Sequence, residues 1–274
     1  GIAKNINSNV IIGDENDEIV VMEADEFDRS FHQLTPYISI VTSIDADHLD
    51  IYGDEKQVVE AFNQFIDKTL PDGVVICNHK LPIVTDRKKL TYGLEDADVM
   101  ACNVRVEDGM TKFSVVTKEG LDFGEYKMQL FGDHNVMNAL SAITTCLQLN
   151  IELKVIKEGL EKFQGVARRF DIRVRNKKVC YIDDYAHHPS ELQASIDSVN
   201  KLYPKRKIIG VFQPHLFSRT RDFADEFAEV LTKCDNVLLL PIYPAREKPI
   251  PGVTSEWLRD KIEELDNLKA EYLK

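Results

Sequence analysis

The chain has 274 residues, 43% of them hydrophobic, which suits two packed domains rather than one small one. With 34 Lys and Arg against 46 Asp and Glu the formal charge is −12, so the basic face of a nonspecific nucleic-acid binder is missing. The five cysteines form no C-x-x-C pair, which argues against a zinc knuckle or redox pair, and no apolar run reaches the ~18 residues of a membrane span.

In chain order, Glu18 to Met22 (EIVVM) predicts a buried strand ending in EADEFDRSF, and Ile38 to Ile44 predicts a second ending in DADHLDIYG. Asp54 to Lys68 carries Val58, Val59, Phe62, Phe65 and Ile66 on one helical face, and VVIC after Gly73 predicts a third strand. Strand, helix, strand is the pattern of a parallel sheet. From Asp98 to Leu130 short β-prone runs separated by EDG and KEG turns predict a small antiparallel meander. Two helices follow: GDHNVMNALSAITTCLQLN, with Val136, Ala139, Leu140, Ile143 and Leu147 as its apolar stripe, and Leu153 to Phe163, capped near Gly165. We place a domain boundary there, between 1–164 and 165–274. Beyond it, VCYID, KIIGVF and NVLLLPIY predict strands. A helix starting at Pro189, another over FSRTRDFADEFAEVLTK and a last one capped by Thr254 complete the reading. The fold class is α/β.

Polar clusters recur where strands end, the place at which open α/β sheets bind ligands. Glu23, Asp25, Glu26 and Asp28 close the first strand; Asp45, Asp47, His48 and Asp50 close the second. On adjacent strands they form either a hard-cation site or two solvated acidic loops. Asn135 and Asn138, three apart at a helix start, suit the edge of a purine base or serve as ordinary caps. Arg168 and Arg169 lie just past the boundary, positioned for a phosphate or for a surface ion pair with Asp171. Arg219 and Arg221 open a helix, either as a carboxylate or phosphate site or as a solvated face. The run YIDDYAHHPS places Asp184, Tyr185, His187 and His188 at one strand end.

Seven segments in order carry a family resemblance: EADEFDRSF, TSIDADHLDIYG, GDHNVMNAL, GVARRFD, DDYAHHPSE, FQPHLFSRTRDF and YPAREKPIPG. Together they resemble the Mur ligases of bacterial peptidoglycan synthesis, and the EADE and DADH forms favour the alanine-adding branch. The resemblance implies a central ATP-binding domain followed by a Rossmann-like C-terminal domain, working in the bacterial cytoplasm. It implies ligation of L-alanine to UDP-N-acetylmuramic acid with ATP and Mg²⁺, through an acyl phosphate. By motif, Glu23 and His48 are implied as metal ligands. Asn135 and Asn138 are implied as adenine readers, Arg169 as a phosphate contact and Asp184 as the ribose carboxylate. Tyr185, His187 and Arg219 are implied for the amino-acid pocket.

Two departures qualify that expectation. Leu216 stands where many family members carry an arginine, so Arg219 is expected to carry more of the carboxylate binding. No G-x-x-x-x-G-K-[ST] phosphate loop occurs, and neither the UDP-gripping domain nor the final C-terminal strand is evident. These 274 residues are therefore expected to be part of a longer ligase and not to ligate alone. The rival readings are a folylpolyglutamate-synthase-like ligase and a non-catalytic nucleotide-binding module.

Overall fold

Val74-Val75-Ile76-Cys77 is apolar at every position, and each of the four side chains is buried. A strand points successive side chains to opposite faces, so such a run needs a hydrophobic layer on each side. The computed structural model, which describes residues 1–44, 52–265 and 270–272, provides both. Two compact units divide at Gly165/Val166.

The first unit holds a six-stranded sheet in sequential order: β1 (Ile38–Val41), β2 (Val74–Asn78), β3 (Lys88–Gly93), β4 (Val99–Glu107), β5 (Met110–Thr117) and β6 (Asp122–Met128). β1 to β4 run parallel, and β4 to β6 form the predicted antiparallel meander. Helix α1 (Glu55–Ile66) places Val58, Phe65 and Ile66 against Val75 and Cys77. Its start is fixed by Asp54, whose carboxylate accepts from Gln57 N at 2.9 Å. Across the sheet, α2 (Asp133–Gln148) and α3 (Leu153–Lys162) bring Val136, Leu140, Ile143 and Ile156 against Val74, Ile76 and Phe113. Gly165 takes φ +86°, the left-handed conformation that glycine adopts without a Cβ penalty, two residues past the C-cap of α3.

Glu18 to Met22 does not form the predicted strand. Val20 is 81% and Val21 87% exposed, and β1 pairs with β2 alone among the described residues. Strand propensity reports fit to a pleated, half-covered surface, and without a ladder to satisfy its backbone the run stays irregular. β3 was missed because KKLTYG opens on two lysines, exposed at the outer end of the strand, while Tyr92 and Gly93 are buried.

The second unit has a parallel three-stranded sheet, β9 (Ile209–Phe212), β10 (Asn236–Leu239) and β11 (Ala270–Tyr272), in the order β11-β10-β9. Its core joins Phe212, Val237 and Leu239 to α4 (Pro189–Leu202), α6 (Ala224–Leu231) and α7 (Ser255–Leu265). Pro189 begins α4, and Thr254 caps α7 by accepting from Trp257 N at 3.1 Å. β8 (Cys180–Asp183) does not join that sheet. It pairs antiparallel with β7 (Asp171–Arg175), and Asn176 closes the hairpin by accepting from Lys178 N and Val179 N at 2.8 Å each. The single helix read over 217–233 is two, α5 (Phe217–Asp222) and α6, broken at Phe223 where φ is −118° and ψ 23°. No helix among the described residues is long and apolar enough to cross a membrane.

Candidate functional site

In the second unit, four motif segments meet at strand ends. After β8 the chain turns through Asp184 to His188 into α4. Asp184 organises that turn: one oxygen accepts from Ala186 N at 3.2 Å, and the other from the Ser195 hydroxyl. Tyr185 N donates to Arg168 O at 2.7 Å, which ties the turn to the start of the unit. Arg168 and Phe170 both take positive φ, 63° and 47°, and Phe170 is buried, so this segment is held in a costly conformation by its surroundings. The Arg168 guanidinium sits 4.7 Å and that of Arg169 6.0 Å from the Tyr185 ring centroid.

Asp171 forms an ion pair with Arg173, whose Nε lies 2.9 Å from the buried carboxylate. Arg169 pairs with Glu191 at 3.1 Å instead. Glu191 is also the capping-box residue of α4, accepting from His187 N at 3.0 Å and His188 N at 3.3 Å. Burial alone would raise its pKa. The His187 amide, the His187 ring and Arg169 outweigh that and hold it below the usual carboxylate value.

From Tyr185 a line of rings runs across the strand ends. Tyr185 meets His187 edge-on at 5.1 Å, His187 meets His215 at 5.9 Å, and His215 stacks on Tyr243 at 5.4 Å. His187 Nδ1 lies 2.8 Å from Tyr185 O, which can only accept, so Nδ1 carries hydrogen and Nε2 is the lone-pair nitrogen of the neutral ring. Arg219 on α5 is 6% exposed, with Nη1 3.4 Å from His215 Nδ1. The structure thus brings Tyr185, His187 and Arg219 into one cluster with Asp184 and Arg169 at its edge. Arg221 is exposed and pairs with Asp222 at 2.7 Å. The first turn of α5 offers no anion site, because the Glu247 carboxylate already accepts from Ser218 N there at 3.0 Å.

Sequence reasoning missed His215, Tyr243, Glu191 and Glu247. All four lie inside segments quoted for the resemblance, and His215 and Tyr243 closely follow the ends of β9 and β10. Applying the strand-end rule to β9 and β10 as well would have found that pair.

In the first unit, Asn135 and Asn138 lie in the opening turns of α2. Neither Asp133 nor Asn135 caps the helix, whose N-cap is Gly132 with no side-chain bond. Asn135 Nδ2 donates to Phe131 O at 2.7 Å, and Asn138 is exposed one turn later. Glu23 is exposed on the irregular segment, and His48 lies outside the described residues. Among the described residues no three His, Cys, Asp or Glu side chains converge as a metal site. Glu23 by itself, one exposed carboxylate, does not make the donor set a divalent cation needs.

Residues 5–146 match the family model for the Mur ligase middle domain, and residues 168–273 that for the Mur ligase, glutamate ligase domain. A UDP-N-acetylmuramate–L-alanine ligase of Christiangramia forsetii is 43% identical over 263 residues, covering 96% of this chain and 57% of the relative. The corresponding protein of Flavobacterium psychrophilum is 46% identical with the same coverages, so the chain spans little more than half the length of these relatives. Among solved structures, the UDP-N-acetylmuramate-alanine ligase of Thermotoga maritima is 26% identical with TM-score 0.72, covering 89% of this chain and 53% of that one. A folylpolyglutamate synthase of L. casei shares the fold alone, at 18% identity and TM-score 0.60. With both units matched in chain order, the chain belongs to the Mur ligase family.

Proposed function

We propose that this chain carries the ATP-binding and amino-acid-binding halves of a ligase that joins L-alanine to UDP-N-acetylmuramic acid. The observation that carries the reading is the cluster in the second unit, where Arg219 lies beside His215 and the ring line from Tyr185 to Tyr243. A buried guanidinium matches a carboxylate through its planar fork, and a neighbouring imidazole suits the proton that an ammonium must lose before it attacks. In the reaction, a carboxylate oxygen of the muramic acid displaces ADP from the γ-phosphorus. The alanine nitrogen then attacks the acyl carbon and phosphate departs. His187, with Nε2 carrying the lone pair, is the acceptor for the ammonium proton, and Arg219 holds the alanine carboxylate.

Asn135 and Asn138 are assigned to the adenine and Asp184 to the ribose, each through the hydrogen-bonding capacity left beyond its internal bonds. Arg169, half exposed beside Glu191, is assigned to the phosphates. Glu23, together with His48, is assigned to Mg²⁺, which would offset the phosphate charge. The 40–46% identity to proteins named for the alanine ligation supports alanine over glutamate as the amino acid.

The test is ADP release by the protein at full length, with L-alanine and UDP-N-acetylmuramic acid each omitted in turn. Dependence on both, and loss of the alanine response in Arg219→Ala, is the expected outcome. Turnover with glutamate and a folate instead would move the chain to the folylpolyglutamate branch. Nucleotide binding without turnover would leave the non-catalytic module.

A further inference from the structure

Glu247 is a carboxylate that no role above uses. Its own N–H donates to Pro244 O at 2.8 Å across a turn in which Ala245 takes φ 47°. That turn carries the side chain back onto the start of α5. One oxygen accepts from Ser218 N at 3.0 Å and the other from the Ser218 hydroxyl. These are charge-assisted bonds, about twice as strong as neutral ones.

The turn they hold is a strained one. Leu216 takes φ 69° and ψ 137°, a region that a residue with a Cβ occupies only when its surroundings impose it. The imposing contacts come from two sides. Behind the turn, Tyr243 N donates to Pro214 O at 2.8 Å and Leu216 N donates to Tyr243 O at 2.9 Å. In front of it stands Glu247. His215 immediately precedes Leu216, and Arg219 follows Ser218, so the two site residues sit on either side of the held segment. Thr220 seals the turn by donating its N–H and its hydroxyl to Leu216 O at 3.1 and 2.7 Å.

The geometry points to Glu247 as a positioning residue: its carboxylate locks the strained turn at Leu216 and thereby sets the aim of Arg219 and His215. It touches no substrate in this role, and the inference rests on the reading of Arg219 as the amino-acid carboxylate binder. The rival is a carboxylate that stabilises the unit and nothing more.

Two readouts separate these. In the protein at full length, Glu247→Gln is expected to raise the KM for L-alanine by about tenfold, the scale of one lost charged hydrogen bond, with the KM for ATP unmoved. Arg219→Ala and the Arg219→Ala/Glu247→Gln double variant should then have the same alanine KM, because the two residues act as a unit. Independently of turnover, the amides of Ser218 and Thr220 should exchange with deuterium faster in Glu247→Gln while those of α6 do not. Additive effects in the double variant, equal rises in both KM values, or unchanged exchange at α5 would each overturn the inference. Should the wild type prove unable to use L-alanine, the functional reading falls, and the exchange comparison alone decides whether Glu247 holds the turn. If Glu247→Gln does not fold, Ser218→Ala removes one of the bonds and keeps the carboxylate. A smaller rise in alanine KM supports the role, and no rise overturns it.

Discussion

Removing the Glu191 carboxylate loosens the turn that presents Tyr185 and His187, and the size of the effect follows from its partners. Glu191 accepts from His187 N and His188 N at 3.0 and 3.3 Å and pairs with Arg169 at 3.1 Å. Loss of the capping interaction costs about 1 kcal/mol. The Arg169 pair adds less than ~1 kcal/mol, because Arg169 is 53% exposed and the interaction is screened. Glu191→Ala should therefore destabilise the second unit by about 1–2 kcal/mol, or about 5–10 °C for a unit near 100 residues. Glu191→Gln keeps an acceptor in the capping box and should lose about half of that. The assay is unfolding followed by the fluorescence of Trp257, the chain's one tryptophan, which packs against the second unit's core.

The pH dependence is fixed by the direction of the shift. The folded pKa of Glu191 lies below the ordinary 4.5, so its stabilisation is fully present above 4.5 and is lost as pH falls through the folded value. The gap between wild type and Glu191→Gln should be level from neutral pH to about 4.5 and shrink below that. A Glu191→Ala variant within about 0.5 kcal/mol of wild type, or a gap undiminished in strong acid, would refute this account of the turn.

Leu216→Val should lower stability by about 1–3 kcal/mol, since a β-branched residue fits positive φ worst, while Leu216→Gly should stay within about 1 kcal/mol in the same unfolding assay. Phe113→Ala should cost the first unit about 3–5 kcal/mol in urea titrations followed by circular dichroism, because the ring is fully buried among Val136, Leu140 and Tyr126. Gly73→Ala should destabilise that unit by about 1–3 kcal/mol in the same titration, as an added Cβ would stand 2.3 Å from Tyr37 O, a backbone atom that cannot rotate away. Burial pushes the Cys234 thiol up to about 11, so Cys234 should resist alkylation at pH 8 until the second unit unfolds, as read by mass spectrometry of labelled peptides.

Periodicity and punctuation determined much of this protein by themselves. The stripe from Val136 to Ile143, the cap at Thr254, the start at Pro189 and the EDG and KEG turns of the meander are local signals, and local hydrogen bonding and burial realise them. The family resemblance implied one pocket for Tyr185, His187 and Arg219. What sequence could not supply was partnership across long separations. Glu18 to Met22 has strand composition without a ladder, and β8 takes the neighbouring β7 rather than the parallel sheet. FSRTRDFADEFAEVLTK reads as one helix, yet it breaks at Phe223, and the first turn of α5 meets Glu247, 29 residues from Ser218 along the chain. Which acid answers Arg169, which ring stacks on His215 and which carboxylate holds Leu216 were decided only in three dimensions, because charge and aromatic contacts depend on distance through space and leave no period in the sequence.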